Sequence, residues 1–263
     1  MSARPGRRGL ERIRESMSER DFAIVSSVGQ HRFLSARHIE VLHFEGHASK
    51  LTAARICRRV LARLTRADVL VRLERRIGGV RAGSASCVYA PGWIGWRLLG
   101  ETRRRSREPS ASFLYHALAI ADIHVALVQA ERLGRIELIQ IETEPNCWRR
   151  YTGPGGAAET LCPDLYVVTA SGDYEHCWSV EVDLATESLS TVIRKCRQHA
   201  AYRQTGIEQH RTGTFPIVVW SVPSPRRRKH LAGAIASAKR LPQELFRVVE
   251  ASELVGLLAG GFA

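Results

Sequence analysis

The chain has 263 residues, 44% of them hydrophobic and 25% charged, with a formal net charge of +13. That length and apolar content support one large or two modest domains with a sizeable core, and the lack of 18 consecutive apolar residues argues against a transmembrane span. None of the six cysteines has CxxC spacing, so a zinc ribbon is not expected, and the Arg-rich N-terminus lacks the apolar core of a signal peptide; a cytoplasmic protein with reduced cysteines, read as small buried apolar residues, is expected. The charge is unevenly placed: residues 1–108 carry 23 Arg/Lys against 10 Asp/Glu, whereas residues 109–263 carry 16 of each. A basic first part joined to a neutral remainder reads as a polyanion-binding module attached to something else.

Residues 1–18 read as a basic flexible arm. A first helix is expected from Glu19 to Val28. A second follows Leu34-Ser35, with Ser35 as N-cap. A third runs from about Ser49 to Ala67 with an apolar stripe at Leu51, Ala54, Cys57, Val60 or Leu61, and Leu64. Arg55, Arg59, Arg63 and Arg66 fall on another face of that helix, three and four apart. A hairpin is expected next, from Val69–Leu73 through a Gly78-Gly79 turn to Cys87-Val88-Tyr89, with Arg75, Arg76 and Arg81 around the turn. Three helices and a hairpin are the order of a winged helix-turn-helix over residues 19–100, which presents its third helix to the DNA major groove and its hairpin to the backbone. Arginines there contact phosphates or guanine edges. The same stripe also fits a solvated helix face, and a winged helix can dock on protein.

A short helix near Trp93–Leu99 closes this domain, and residues 101–112 form a basic linker. The second domain, residues 113–263, begins with a long apolar helix from Phe113 to Leu133. The strand Ile136–Ile141 leads to Glu142 and Glu144, and a Gly- and Pro-rich loop spans 145–162. Pro163-Asp164 precedes the apolar run Leu165–Val168. After the Ser171-Gly172-Asp173 turn, Cys177–Val180 delivers Glu181-Val182-Asp183. A helix from about Glu187 to Gln204 carries Lys195. The strand Pro216–Val222, a helix from Arg226 to Ala238, a strand near Phe246–Val249 and a helix from Ser252 complete the chain. The core order is α-β-β-β-α-β.

Side chains alternate along a strand, so Glu181 and Asp183 share a face. Carboxylates gathered at the end of a sheet repel one another unless a cation joins them, and an oxygen-only set suits Mg²⁺ or Mn²⁺. A nearby lysine then positions water or offsets phosphate charge, the equipment of metal-dependent phosphodiester cleavage. Asp164, Glu181 and Lys195 are the candidate catalytic residues. Asp164 and Glu181 are the first candidate metal ligands, with Asp183 or Glu142 as a further one. The same spacing fits a solvated hairpin end. His116 on the long helix, and Trp148 and Arg149 in the loop, are weaker candidates for phosphate or base contact.

The α-β-β-β-α-β order with Pro163-Asp164 and Glu181-x-Asp183 resembles the PD-(D/E)XK nuclease superfamily. In that pattern lysine usually stands where this chain has Asp183, and Lys195 on the following helix is the relocated equivalent that the resemblance implies. The chain as a whole, over roughly residues 19–250, resembles the replication-relaxation family of bacterial plasmids and mobile elements. The resemblance rests on Arg20-Asp21-x-Ala23-Ile24, Val88-Tyr89-Ala90-Pro91 and His116-x-Leu118-Ala119-Ile120-Ala121. It continues through Trp148-Arg149-Arg150, Pro163-Asp164 and Glu181-Val182-Asp183-x-Ala185-Thr186-Glu187, with Lys195 and Tyr202. It implies plasmid replication, DNA relaxation or mobilisation, by a DNA endonuclease or nickase or by a non-catalytic factor on a degenerate nuclease scaffold. Duplex DNA, plasmid DNA in particular, is the expected partner and no membrane is. Homodimerisation and contact with other replication or relaxation proteins stay open.

Overall fold

The computed structural model describes residues 5–46, 49–73, 87–101, 109–153 and 155–260. The chain forms two compact units, Met1–Val125 and Ala126–Ala263. It is a mixed α/β protein with an antiparallel three-stranded sheet, a two-stranded hairpin and a mixed five-stranded sheet.

The first unit contains α1 (Arg7–Glu15), α2 (Glu19–His31), β1 (Leu34–Ser35), α3 (Ala36–His43), α4 (Lys50–Arg66), β2 (Leu70–Arg72), β3 (Val88–Pro91) and α5 (Trp93–Leu98). The long helix α6 (Ala111–Arg132) crosses the division between the units. Serines start three of these helices. Ser18 and Asp21 exchange bonds in a capping box at α2, Ser35 caps α3, and Ser49 caps α4. β3 lies between β1 and β2, pairing Leu34 with Tyr89 and Val71 with Ala90. Apart from α1 and β1, the order of three helices, two paired strands and a short helix is the one expected from the sequence. The expected turn carrying Arg75, Arg76 and Arg81 lies outside the described residues, as does most of the expected linker.

Two expectations are corrected. The arm is not wholly irregular, because residues 7–15 form α1 and Leu10, Ile13 and Met17 pack against the core. Those three residues are three and four apart, a short apolar stripe that the surrounding arginines obscure. On α4 the buried face is Ala53, Cys57, Leu61 and Leu64, while Leu51 is 80% exposed. Leu51 lies about 200° around the helix from Ala53, so both cannot face one core. The core behind α4 is Ile24, Val25 and Val28 of α2, Ile39 of α3, and Leu70.

Helix α6 is long and apolar enough, by length and composition, to cross a membrane. In the first unit its side chains are used for packing. Leu114, Ala117 and Leu118 meet Phe33, Val88 and Ala90. Two polar contacts sit beside them: His31 Nε2 lies 2.7 Å from His124 Nδ1, and His38 Nε2 lies 2.8 Å from Asp122 Oδ1. Burial, with the charges of His124 and His38 adding to it, depresses the His31 pKa to about 3, and burial depresses that of His124 to about 4. Both histidines are therefore neutral in the fold and gain protons on unfolding below pH 6.5. Stability is full above that pH and falls as pH drops towards the folded values, by up to about 1.4 kcal/mol per pH unit for His31. Urea midpoints at pH 7, 6 and 5 are expected to decrease, and less so in His31→Gln. Equal midpoints across that range would refute the assignment.

The second unit contains β4 (Glu137–Thr143), β5 (Arg149–Thr152), β6 (Ala158–Leu161), β7 (Leu165–Ser171), β8 (Tyr174–Val182), α7 (Leu189–Gln204), α8 (Ile207–Thr212), β9 (Ile217–Val222), α9 (Pro225–Ser237), β10 (Phe246–Glu250) and α10 (Leu254–Leu258). The sheet order is β10-β9-β8-β7-β4, antiparallel across β4, β7 and β8 and parallel across β8, β9 and β10. The expected loop at 145–162 contains the β5–β6 hairpin, and α8 was not anticipated. Register decides the faces. Tyr166 pairs with Ser179 and Glu142, and Glu181 pairs with Trp220. Continuing the β7–β8 register by one residue sets Asp164 opposite Glu181. One face therefore carries Glu142, Tyr166, Asp164, Ser179, Glu181 and Trp220. On that face Val192 and Cys196 of α7 and Leu231 and Ile235 of α9 pack with Val218, Trp220 and Val222. Cys57, Cys147 and Cys196 are buried as expected of small apolar residues, whereas Cys162 is exposed.

Candidate functional site

Two groups of residues carry chemistry, one in each unit. In the first, Arg55, Arg59 and Arg66 are exposed on α4. At about 100° per residue they fall within roughly 40° of one another, away from the Cys57–Leu61–Leu64 face. Arg58, not singled out from sequence, is exposed on the same helix. Arg63 differs. Its Nη2 donates to Asp21 Oδ1 at 2.6 Å, and that carboxylate is buried. Burial pushes the Asp21 carboxyl up, but the bonds from Arg63 and Ser18 outweigh it and hold the group below its usual range. Arg63 thus ties α4 to the N-terminus of α2. Arg63→Ala is expected to destabilise the first unit by about 1–3 kcal/mol, because it leaves a buried acceptor short of a donor. The loss appears as a lower urea midpoint, and an unchanged midpoint would return Arg63 to the solvated row.

In the second unit the pattern Pro163-Asp164, Glu181-x-Asp183 and Lys195 comes together, with partners that the sequence does not announce. Asp164 Oδ2 accepts the Val182 amide at 2.6 Å. Glu181, buried at the end of β8, accepts Lys195 Nζ on Oε2 at 3.2 Å, and its Oε1 lies 2.9 Å from His199 Nε2. Lys195 also reaches Glu187 Oε1 at 3.0 Å. Burial alone would lower the Lys195 pKa, but Glu181, Asp164 and Glu187 outweigh it and raise the value, so the ammonium is charged. Asp183 Oδ1 accepts the Ala185 amide, and Oδ2 accepts Nε of Arg227, whose Nη2 donates to the Glu187 carbonyl at 2.7 Å.

Glu142 enters a different network. It accepts Arg149 Nη2 and Gln140 Nε2, both at 2.8 Å, while Arg149 Nε lies 3.4 Å from Glu208. Glu208 in turn accepts Tyr202 and Arg211. Arg149, a candidate nucleic-acid contact from sequence, is thereby a largely buried brace, whereas Trp148 beside it is 37% exposed. His116 is half-buried on α6. Of the partners missed, His199 stands four residues after Lys195 and shares its helix face. Arg227 follows Asp183 by 44 residues, and no local spacing reveals the pair.

The donor set of Asp164, Glu181, Asp183 and Glu142 has the oxygen chemistry of a Mg²⁺ or Mn²⁺ site. Its geometry does not fit that ion. Both Glu181 oxygens face protein nitrogens, Asp183 is held by Arg227, and Glu142 by Arg149. Among the described residues no three His, Cys, Asp or Glu side chains gather as metal ligands. A divalent cation at Asp164 and Glu181 would meet the Lys195 ammonium, and one at Asp183 would meet the Arg227 guanidinium.

An arginine-studded helical unit and a mixed-sheet unit with a charge-paired carboxylate site define a two-unit α/β protein. Its chain belongs to the replication-relaxation family, whose model matches residues 25–218. No curated protein and no solved structure matches it. Membership implies a role related to plasmid replication or relaxation, involving DNA and the replication machinery.

Proposed function

We propose that the protein binds duplex DNA in plasmid replication or relaxation, with its first unit acting as a winged helix and its second as a nuclease-like scaffold that does not cut. The exposed row of Arg55, Arg59 and Arg66 carries this reading. The row lies opposite a packed face, on helix α4 of a unit whose sequence neighbourhood holds the whole excess positive charge. Phosphate neutralisation by such arginines supplies most non-specific affinity, and guanine contacts add selectivity. In the second unit every candidate carboxylate already has a protein partner, which favours the scaffold over catalysis.

The endonuclease or nickase remains a second reading because one observation favours it: Lys195 meets Glu181 as a relocated motif lysine would. On that reading Asp164 and Glu181 would hold Mg²⁺ or Mn²⁺. Two assays on the full chain separate the readings. A gel shift should retard duplex DNA. Supercoiled plasmid incubated with Mg²⁺ or Mn²⁺ should stay supercoiled. Nicks that disappear in Asp164→Ala would replace the scaffold reading with the enzyme.

A further inference from the structure

Lys195 and His199 lie four residues apart on α7 and present their nitrogens to the two oxygens of one carboxylate, Glu181. The negative field on Lys195 comes also from Asp164, which the strand register sets opposite Glu181. A divalent ion brought to those two carboxylates would meet the ammonium at close range, and like charges at such separations repel strongly when partly buried. Arg227 is engaged with Asp183 and the Glu187 carbonyl. One more oxygen lies on the same sheet face: Ser179 Oγ, two residues before Glu181, is buried with no hydrogen-bond partner among the described residues.

We propose that the Lys195 ammonium stands in the place of a divalent cation at Asp164 and Glu181, so that the site is neutralised from within and removal of that ammonium turns it into a Mg²⁺ or Mn²⁺ site. Without Lys195, Glu181 keeps His199 and Asp164 keeps the Val182 amide, but the pair of carboxylates loses its ammonium. Their repulsion is then relieved by an oxygen-seeking dication. The inference deepens the scaffold reading and rests on it.

The test is Mn²⁺ titration of the full chain, followed by isothermal calorimetry and by loss of the free-ion paramagnetic resonance signal. Wild type is expected to show no saturable binding, and its melting temperature should not move with Mn²⁺ or with chelator. Lys195→Ala and the bulkier Lys195→Met should each gain one saturable site and a Mn²⁺-dependent rise in melting temperature. Adding Glu181→Gln to either should remove both effects. Circular dichroism identifies any variant that fails to fold, and the wild-type titration stands without the variants. Saturable Mn²⁺ binding by wild type that Glu181→Gln abolishes would overturn the inference, as would folded Lys195 variants that bind none. Plasmid nicking by wild type would instead overturn the scaffold reading itself.

Discussion

Replacing Arg227 with Met is expected to cost the protein about 3–5 kcal/mol of stability, the largest effect of any single change proposed for it. Asp183 is fully buried, and Arg227 is its charged partner. The guanidinium also donates to the Glu187 carbonyl just before α7, so one side chain joins the end of β8, the start of α7 and the start of α9. Methionine keeps much of the volume and removes every donor. The aspartate is left with the Ala185 amide, too little for a buried charge. Asp183→Asn should recover part of the loss in the double variant, since a neutral amide no longer needs the cation. Urea denaturation of the four combinations measures the coupling. Additive losses would mean that the pair is weakly coupled and that the second unit is held by its apolar core alone.

The second large effect concerns DNA. Arg55→Ala, Arg59→Ala and Arg66→Ala together should weaken duplex binding without lowering stability appreciably, because exposed helical Arg→Ala changes cost little propensity. Each lost phosphate contact makes the slope of log K against log salt shallower by about 0.9, so three make it shallower by about 2.7. If the wild-type and variant lines converge near 1 M salt, the variant binds about two to three orders of magnitude more weakly at roughly 0.1 M. Arg63 is left in place because its guanidinium holds Asp21. Fluorescence anisotropy with a labelled duplex reads the affinity, and a urea midpoint reads the fold. Unchanged affinity would move the DNA surface off α4. An unfolded variant would mean that the three arginines support packing.

The sequence was informative where a signal is local. Ser35 and Ser49 mark helix starts, and period-two alternation carries Glu181 and Asp183 to one end of β8. Lys195 was singled out through the nuclease resemblance, and it lies 3.2 Å from Glu181. The β5–β6 hairpin was hidden by Gly and Pro composition, which reads as loop even when it merely turns a short hairpin. Leu51 was misassigned because a leucine near a helix start counts towards an apolar stripe whether or not a core lies beneath it. The partners that decide the chemistry were least legible. Asp21–Arg63 and Asp183–Arg227 are separated by 42 and 44 residues, and such pairs arise only when tertiary packing brings distant elements together. A carboxylate pattern shows where acids converge but not which cation meets them.

The most direct test of the central claim is equilibrium binding of the full wild-type chain to labelled duplex DNA over a range of salt. If about five arginines reach phosphates, log K should fall with log salt at a slope of about −4 to −5. Absence of binding at low salt, or an affinity that does not change with salt, would contradict a DNA-binding role built on the arginines of α4.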